Sequence, residues 1–201
     1  MKNILACMLA AVIFGSCAQR VLPPLEYISW IEDEHNGMLV EKEIGGHIFQ
    51  LLYKPAAYEV LLQTRNATVN EEEFAAMKNE IDDLQYFKLT VIPEDHKELA
   101  MSGMADENEY SSRITYMMSE MQYDFALIDG TDTLSCVFFH AERNFNLSPE
   151  NHILLGFEKS GAKSISDKTL FYNDQLLGCG PVLITIEAED LENIPELKIA
   201  E

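Results

Sequence analysis

Residues 38–53, MLVEKEIGGHIFQLLY, decide the fold class. Gly45–Gly46 separates two runs of similar length, and a two-residue Gly-Gly loop suits a primed hairpin turn, whose central residues need positive φ. In the returning run His47, Phe49, Leu51 and Tyr53 fall on one face, while Ile48, Gln50 and Leu52 fall on the other. Just upstream, Glu26–Ile31 (EYISWI) reads as a strand. It ends in an acidic turn whose Asn36–Gly37 pair is a second hairpin signal. Together these runs predict a three-stranded antiparallel meander.

Downstream the period changes. Pro55 can open a helix where its missing N–H is harmless, and AAYEVLLQ continues it. Asn70 with Glu73 forms a capping signal for a second helix, in which Phe74, Met77, Ile81 and Leu84 recur at helical spacing. Tyr86–Ile92 is a strand stopped by Pro93, and 94–106 is polar loop. Glu107–Tyr123 fits a helix through Ile114, Met117, Met118 and Met121, or a strand from Arg113. Tyr123–Ile128 meets the turn Asp129–Gly130–Thr131–Asp132, and Thr133–His140 returns, apolar on both faces and so expected at the centre of the sheet. Residues 153–157, 169–173 and 181–187 add further strands. The prediction is an α+β fold: an antiparallel sheet of several strands with two or three helices packed on it, in a single domain over 26–201.

Composition narrows the partners. The chain of 201 residues has 34 acidic and 14 basic side chains, a net charge of −20, and an apolar fraction of 47%. So much apolar residue excludes a disordered acidic tail. The missing Lys/Arg surplus excludes a nucleic-acid binder and electrostatic docking on anionic lipid.

The first segment is an address. Lys2 precedes an unbroken apolar run, Ile4–Phe14, and Gly15–Ser16–Cys17 follows, the charged, apolar, small-residue order of a signal peptide. The run is shorter than the roughly 20 residues that span a bilayer. Phe14–Gly15–Ser16–Cys17 resembles the lipobox of bacterial lipoproteins, in the looser form of the Bacteroidota type, with Phe14 where Leu is usual. The resemblance is confined to residues 1–17. It implies that 1–16 are removed and that Cys17 is lipidated and becomes the N-terminus. The other reading of the same residues is ordinary secretory cleavage near Ser16 with Cys17 a plain thiol. Loss of Lys2 leaves the remainder one unit more negative than the full chain, so acyl chains rather than charge would hold it at a membrane. Residues 17–25, with Pro23–Pro24, read as lipidated Cys and extended tether. Surface-exported relatives of the resembled type carry acids after the Cys. Arg20 here favours the outer membrane facing the periplasm, with surface exposure as the alternative.

Candidate chemistry is sparse. Cys7 leaves with the leader and Cys17 is the lipid site, so Cys136 and Cys179 form an even pair that either bonds or stays as two thiols. Cys179 between glycines also fits a nucleophile on a tight turn, without an evident base. His140, Glu142 and His152 are weak zinc ligand candidates, their spacing matching no metal signature; the plainer reading has Glu142–Arg143 facing solvent. His47 and His96 add nothing firmer. Asp129, Asp132 and Asp106–Glu107–Glu109 offer oxygens of the kind calcium takes, but a hairpin turn accounts for DGTD better. Asp132–Thr133–Leu134 resembles the short O-glycosylation motif of the same bacterial group, which would decorate Thr133. Nucleotide-binding, HExxH and GxSxG motifs are absent from the sequence, and no cofactor is expected. The expectation is a membrane-anchored, non-enzymatic binding or scaffold module for another envelope protein. The alternatives are an immunity or inhibitor lipoprotein against a basic partner and a metal-dependent hydrolase.

Overall fold

The computed structural model describes residues 20–64, 70–161 and 164–199. The leader, Cys7, Cys17 and the start of the tether lie outside them. In chain order the elements are β1 (Val21–Leu22), α1 (Pro24–Glu32), β2 (Leu39–Ile44), β3 (His47–Lys54), α2 (Ala56–Thr64), α3 (Glu71–Ile81) and β4 (Leu84–Ile92). Then follow α4 (Glu107–Ser119), β5 (Phe125–Asp129), β6 (Asp132–Ala141), β7 (Asn151–Glu158), β8 (Lys168–Asn173), β9 (Pro181–Ile186), α5 (Ala188–Glu192) and β10 (Glu196–Leu197). Eight strands form one antiparallel sheet in the order β2-β3-β4-β7-β6-β5-β8-β9.

The sheet curls into an incomplete barrel. Inward positions alternate along each strand: Phe49 and Leu51, Phe87 and Leu89, Ile153 and Leu155, Leu127, Leu170, Ile184. Eight strands leave an interior that side chains alone can fill. The curl brings β2 near β9 without a hydrogen-bonded ladder, and the Lys42 ammonium donates to the Leu183 carbonyl across the seam at 2.9 Å. That lysine, with Glu41 and Glu43 exposed beside it, guards an edge that would otherwise recruit a strand.

The β2–β3 turn is as predicted. Gly45 and Gly46 sit at φ 61° and 83°, and Ile44 pairs with His47. The rest of the predicted meander is corrected. Glu26–Ile31 is not a strand but most of α1, because Tyr27 and Ile31, one turn apart, are the buried pair. Pro24 occupies the first helical turn rather than an extended tether. Asn36–Gly37 closes a short 3₁₀ turn, with Gly37 at φ 76°, and a Cβ there would overlap the Asp190 side chain. The third strand beside β3 is β4, reached through α2 and α3.

α3 begins where predicted, its Asn70 Oδ1 accepting the Glu73 N–H at 2.9 Å. The ambiguous stretch after 106 is helix α4. Asp106 Oδ1 accepts the N–H groups of Asn108 and Glu109, so the Asp106–Glu107–Glu109 acids form a helix start. β6 lies between β7 and β5, as expected of a central strand, but its outward face is not covered: Val137 is 49% and Phe138 42% exposed. A bulge between Cys136 and Phe138 turns Phe138 outward. There it lies across Gly156, where a Cβ would come within 2.8 Å of it, and meets Tyr86 edge-on at 6.2 Å.

The barrel has two ends. One gathers β1, β10, α5, the β5–β6 turn and the start of the β7–β8 loop. There the Glu196 N–H donates to the Arg20 carbonyl, and the Lys198 N–H to the Leu22 carbonyl, both at 2.8 Å. Residues 21–25 thus lie in β1 and the start of α1. The far end gathers the β2–β3 turn, the 93–106 loop, the β6–β7 loop and the β8–β9 loop.

Candidate functional site

The far end is built around a buried acid. Glu98, 2% exposed, takes the Arg143 Nε–H at 2.7 Å and the Tyr110 hydroxyl at 3.2 Å. Arg143 Nη2 also donates to that hydroxyl at 2.7 Å. One carboxylate thus ties the 93–106 loop, α4 and the loop after β6 together. The guanidinium is covered by the rings of Phe145 at 4.9 Å and Tyr110 at 5.8 Å.

Asparagines set the path of the β6–β7 loop. Asn144 Nδ2 donates to the carbonyls of Ser148 and Glu150, and Asn144 Oδ1 accepts the Asn146 N–H. Asn146 Oδ1 takes the Glu98 N–H at 3.0 Å. Asn151, buried, accepts the Leu99 N–H at 2.7 Å and donates to the Val91 carbonyl. These bonds hold Phe145 at φ 51° and Asn146 at φ 60°. That is the left-handed region, which costs a residue bearing a Cβ about 1–2 kcal/mol. The strained loop presents its apolar side chains to solvent: Phe145 is 68% and Leu147 88% exposed. Non-glycine strain persists where surrounding bonds over-determine it, and such places cluster at functional surfaces.

A cavity of about 660 Å³ lies at the same end, walled by His47, Glu94, Asp95 and Leu176. His47 Nδ1 accepts the Glu94 N–H at 3.0 Å. Burial pushes the Asp95 carboxyl up, but hydrogen bonds from Ser102 and Lys97 outweigh it and leave its pKa lowered.

The opposite end also carries a buried acid. Asp129, 2% exposed, accepts from Ser166 Oγ at 2.6 Å, Lys168 Nζ at 2.9 Å and Gln85 Nε2 at 3.0 Å. A cavity of about 340 Å³ beside it is walled by Tyr53, Leu191 and Ile165. The Tyr53 hydroxyl is pushed up to about 12 by burial, with the Asp82 and Asp129 charges adding.

The residues singled out in the sequence are dispersed. Cys136 and Cys179 are free thiols, the second of the two arrangements that an even pair allows. Cys136 lies on β6, and Cys179 lies in the β8–β9 loop beside the β2–β3 turn. Cys136 Sγ contacts the Phe138 carbonyl across the bulge, and Cys179 Sγ the Ile44 carbonyl near the seam. Burial raises the Cys136 thiol to about 11, and burial with the Asp174 charge raises that of Cys179. Neither is primed as a nucleophile. His140, Glu142 and His152 share the outward face by alternation, but His152 Nδ1 is hydrogen bonded to Thr90 Oγ1 on β4 at 3.1 Å. Among the described residues no group of three His, Cys, Asp or Glu could hold a metal, so these three do not converge. Asp129 is the buried acid above rather than a calcium ligand. Thr133 is exposed beside the β5–β6 turn. His96 sits in the 93–106 loop at φ 55°.

The Arg143–Leu147 loop was missed by spacing rules. Arg143, expected to face solvent, is bonded inward to Glu98 and Tyr110. The sequence does hold a signal: Asn144 and Asn146, both turn formers, bracket and follow a Phe in a loop that is otherwise polar apart from Leu147.

No helix among the described residues is long and apolar enough to cross a membrane. No protein-family model and no curated protein matches the chain. Among solved structures the chain is similar to a novel protein of unknown function from Burkholderia pseudomallei, at 13% identity and a TM-score of 0.35, over 86% of this chain and 93% of that one.

Proposed function

We propose that the chain is a lipid-anchored cell-envelope protein, held through Cys17 at the outer membrane facing the periplasm, and that it serves as a binding or scaffold module for another envelope protein. The observation that carries the binding role is the Arg143–Leu147 loop. Its two exposed apolar side chains stand on a backbone fixed by Glu98, Tyr110 and three asparagines. A rigid loop loses little conformational freedom on docking, which favours recognition over flexibility. It stands at the barrel end opposite β1. A strand such as β7, with eight residues, spans roughly 25 Å, so the loop would face away from the anchoring membrane.

The test is site-specific photo-cross-linking in intact cells. A photoreactive residue replacing Leu147 is expected to give a discrete adduct that disappears in a Phe145→Ser background. The same probe replacing Glu72 on α3 is expected to give none. No adduct from position 147, or the same adducts from both positions, would defeat the reading.

A further inference from the structure

We propose that the surface around the start of the fold, formed by Arg20, Leu25 and Trp30, docks on the bilayer that holds the acyl chains of Cys17. The inference rests on lipidation of Cys17. Its first ground is chain length. Between Cys17 and Arg20 stand only Ala18 and Gln19. From Cys17 to Val21 the chain can reach at most about 14 Å fully extended. Further slack is blocked, because β1 is paired with β10: Arg20 and Leu22 accept backbone hydrogen bonds at 2.8 Å from Glu196 and Lys198. The membrane surface is thus within reach of one side of the protein only.

The second ground is what that side carries. Leu25 is 68% exposed, although Leu22 and Tyr27 close to it in the chain are well buried. Leu22, Leu25 and Trp30 wall an open groove of about 430 Å³ that Arg20 also lines. An amphipathic indole, an exposed aliphatic side chain and a long cationic stem are the residue types that settle at the headgroup level. Glu26 and Asp33 line the same groove, so the contact is apolar and does not depend on anionic lipid. The strongly acidic body agrees with that choice.

Trp30 is the single tryptophan of the chain, which makes it a native reporter. The full-length protein, produced in a bacterial host that lipidates it, is examined by mass spectrometry for acyl chains on Cys17. It is then reconstituted into phosphatidylcholine–phosphatidylethanolamine vesicles with and without a headgroup spin-labelled lipid. Trp30 emission is expected to fall at least two-fold with the quencher, and unlipidated Cys17→Ala protein to be unaffected by the same vesicles. Leu25→Glu, at an exposed position, should recover most of the emission while still sedimenting with vesicles. If Cys17 is acylated and the protein sediments, but Trp30 is unquenched or Leu25→Glu changes nothing, docking is overturned and anchoring stands. If Cys17 carries no acyl chain, the anchoring reading falls and docking falls with it.

Discussion

The two ends of the barrel solve the same problem with the same group and reach different outcomes. Each buries a carboxylate to 2% exposure, Asp129 at the tether end and Glu98 at the far end. Asp129 is enclosed by its partners. Ser166, Lys168 and Gln85 converge on it from three elements or loops. Glu98 is held by Arg143 and Tyr110, and the Arg143 guanidinium carries the exposed Phe145 ring. One buried charge closes an end. The other raises an apolar tip out of an end. Burial of an ion pair therefore does not itself mark a site; what matters is whether the partner carries an exposed side chain out to solvent.

If Asp129 is a closing group, its removal should have the largest effect on stability. Asp129→Ala would leave Lys168 nearly buried without its counter-ion. Breaking a buried pair from one side costs about 3–5 kcal/mol, so the urea midpoint at pH 7 should fall accordingly. The pH dependence carries a second signature. Burial pushes the Asp129 carboxyl up, but the bonds from Ser166, Lys168 and Gln85 win and leave it below the usual carboxylate range. The unfolded chain then takes up the proton first. The stabilisation is complete above about pH 4 and is lost as pH falls through the lower folded-state value. Acid titration of Asp129→Asn should show a flatter loss of stability in that window than wild type. An unchanged slope would remove Asp129 from its role.

Glu98→Ala should cost less, about 2–3 kcal/mol, because Arg143 is 27% exposed and can recover water. Its local effect should be the greater one. Loss of the carboxylate releases Arg143, and with it the Phe145 ring and the left-handed backbone at 145–146. Hydrogen exchange should accelerate across 143–147 well beyond the global change, and remain near wild type in β4 and β7. Acceleration spread evenly over the barrel would mean that Glu98 closes its end as Asp129 does.

The sequence speaks clearly where structure is local. Gly45–Gly46, Asp129–Gly130 and the Asn70 cap are each decided within four residues, and each turns up where expected. Residues 24–32 go astray because Tyr27, Ile28, Trp30 and Ile31 satisfy both periods, and only packing picks the Tyr27–Ile31 pair. Pro23–Pro24 is equally double: it suits an extended tether and also a helix start. Residues 107–123 are settled by the Asp106 cap in favour of the helix that Ile114 and the methionines fit, over the strand that Arg113–Tyr116 also suits. The far-end cluster is of a different kind. Glu98, Tyr110 and Arg143 stand 12 and 33 positions apart, and no spacing rule links a loop acid, a helix phenol and a strand-end guanidinium. The same holds for Cys136 and Cys179: parity allows a bond, but each sulfur instead meets a backbone carbonyl in a different part of the sheet.

Phe145 supplies the finest distinction between the ends. A side chain that closes an end contributes burial, whereas one raised for a partner can be dispensable to the fold or even a burden. Phe145→Gly removes a left-handed penalty of about 1–2 kcal/mol. Against this stand the added freedom of Gly in the unfolded chain, about 0.5–1 kcal/mol, and a partly exposed cation–π contact of about the same size. The terms nearly cancel, so equilibrium unfolding should shift by less than about 1 kcal/mol in either direction. A loss above about 2 kcal/mol would show that Phe145 is a structural clamp on Arg143. A near-zero shift, together with loss of the adduct at position 147, would separate presentation from folding. The strain at 145 would then be held by Asn144, Asn146 and Glu98 for the sake of the surface it creates.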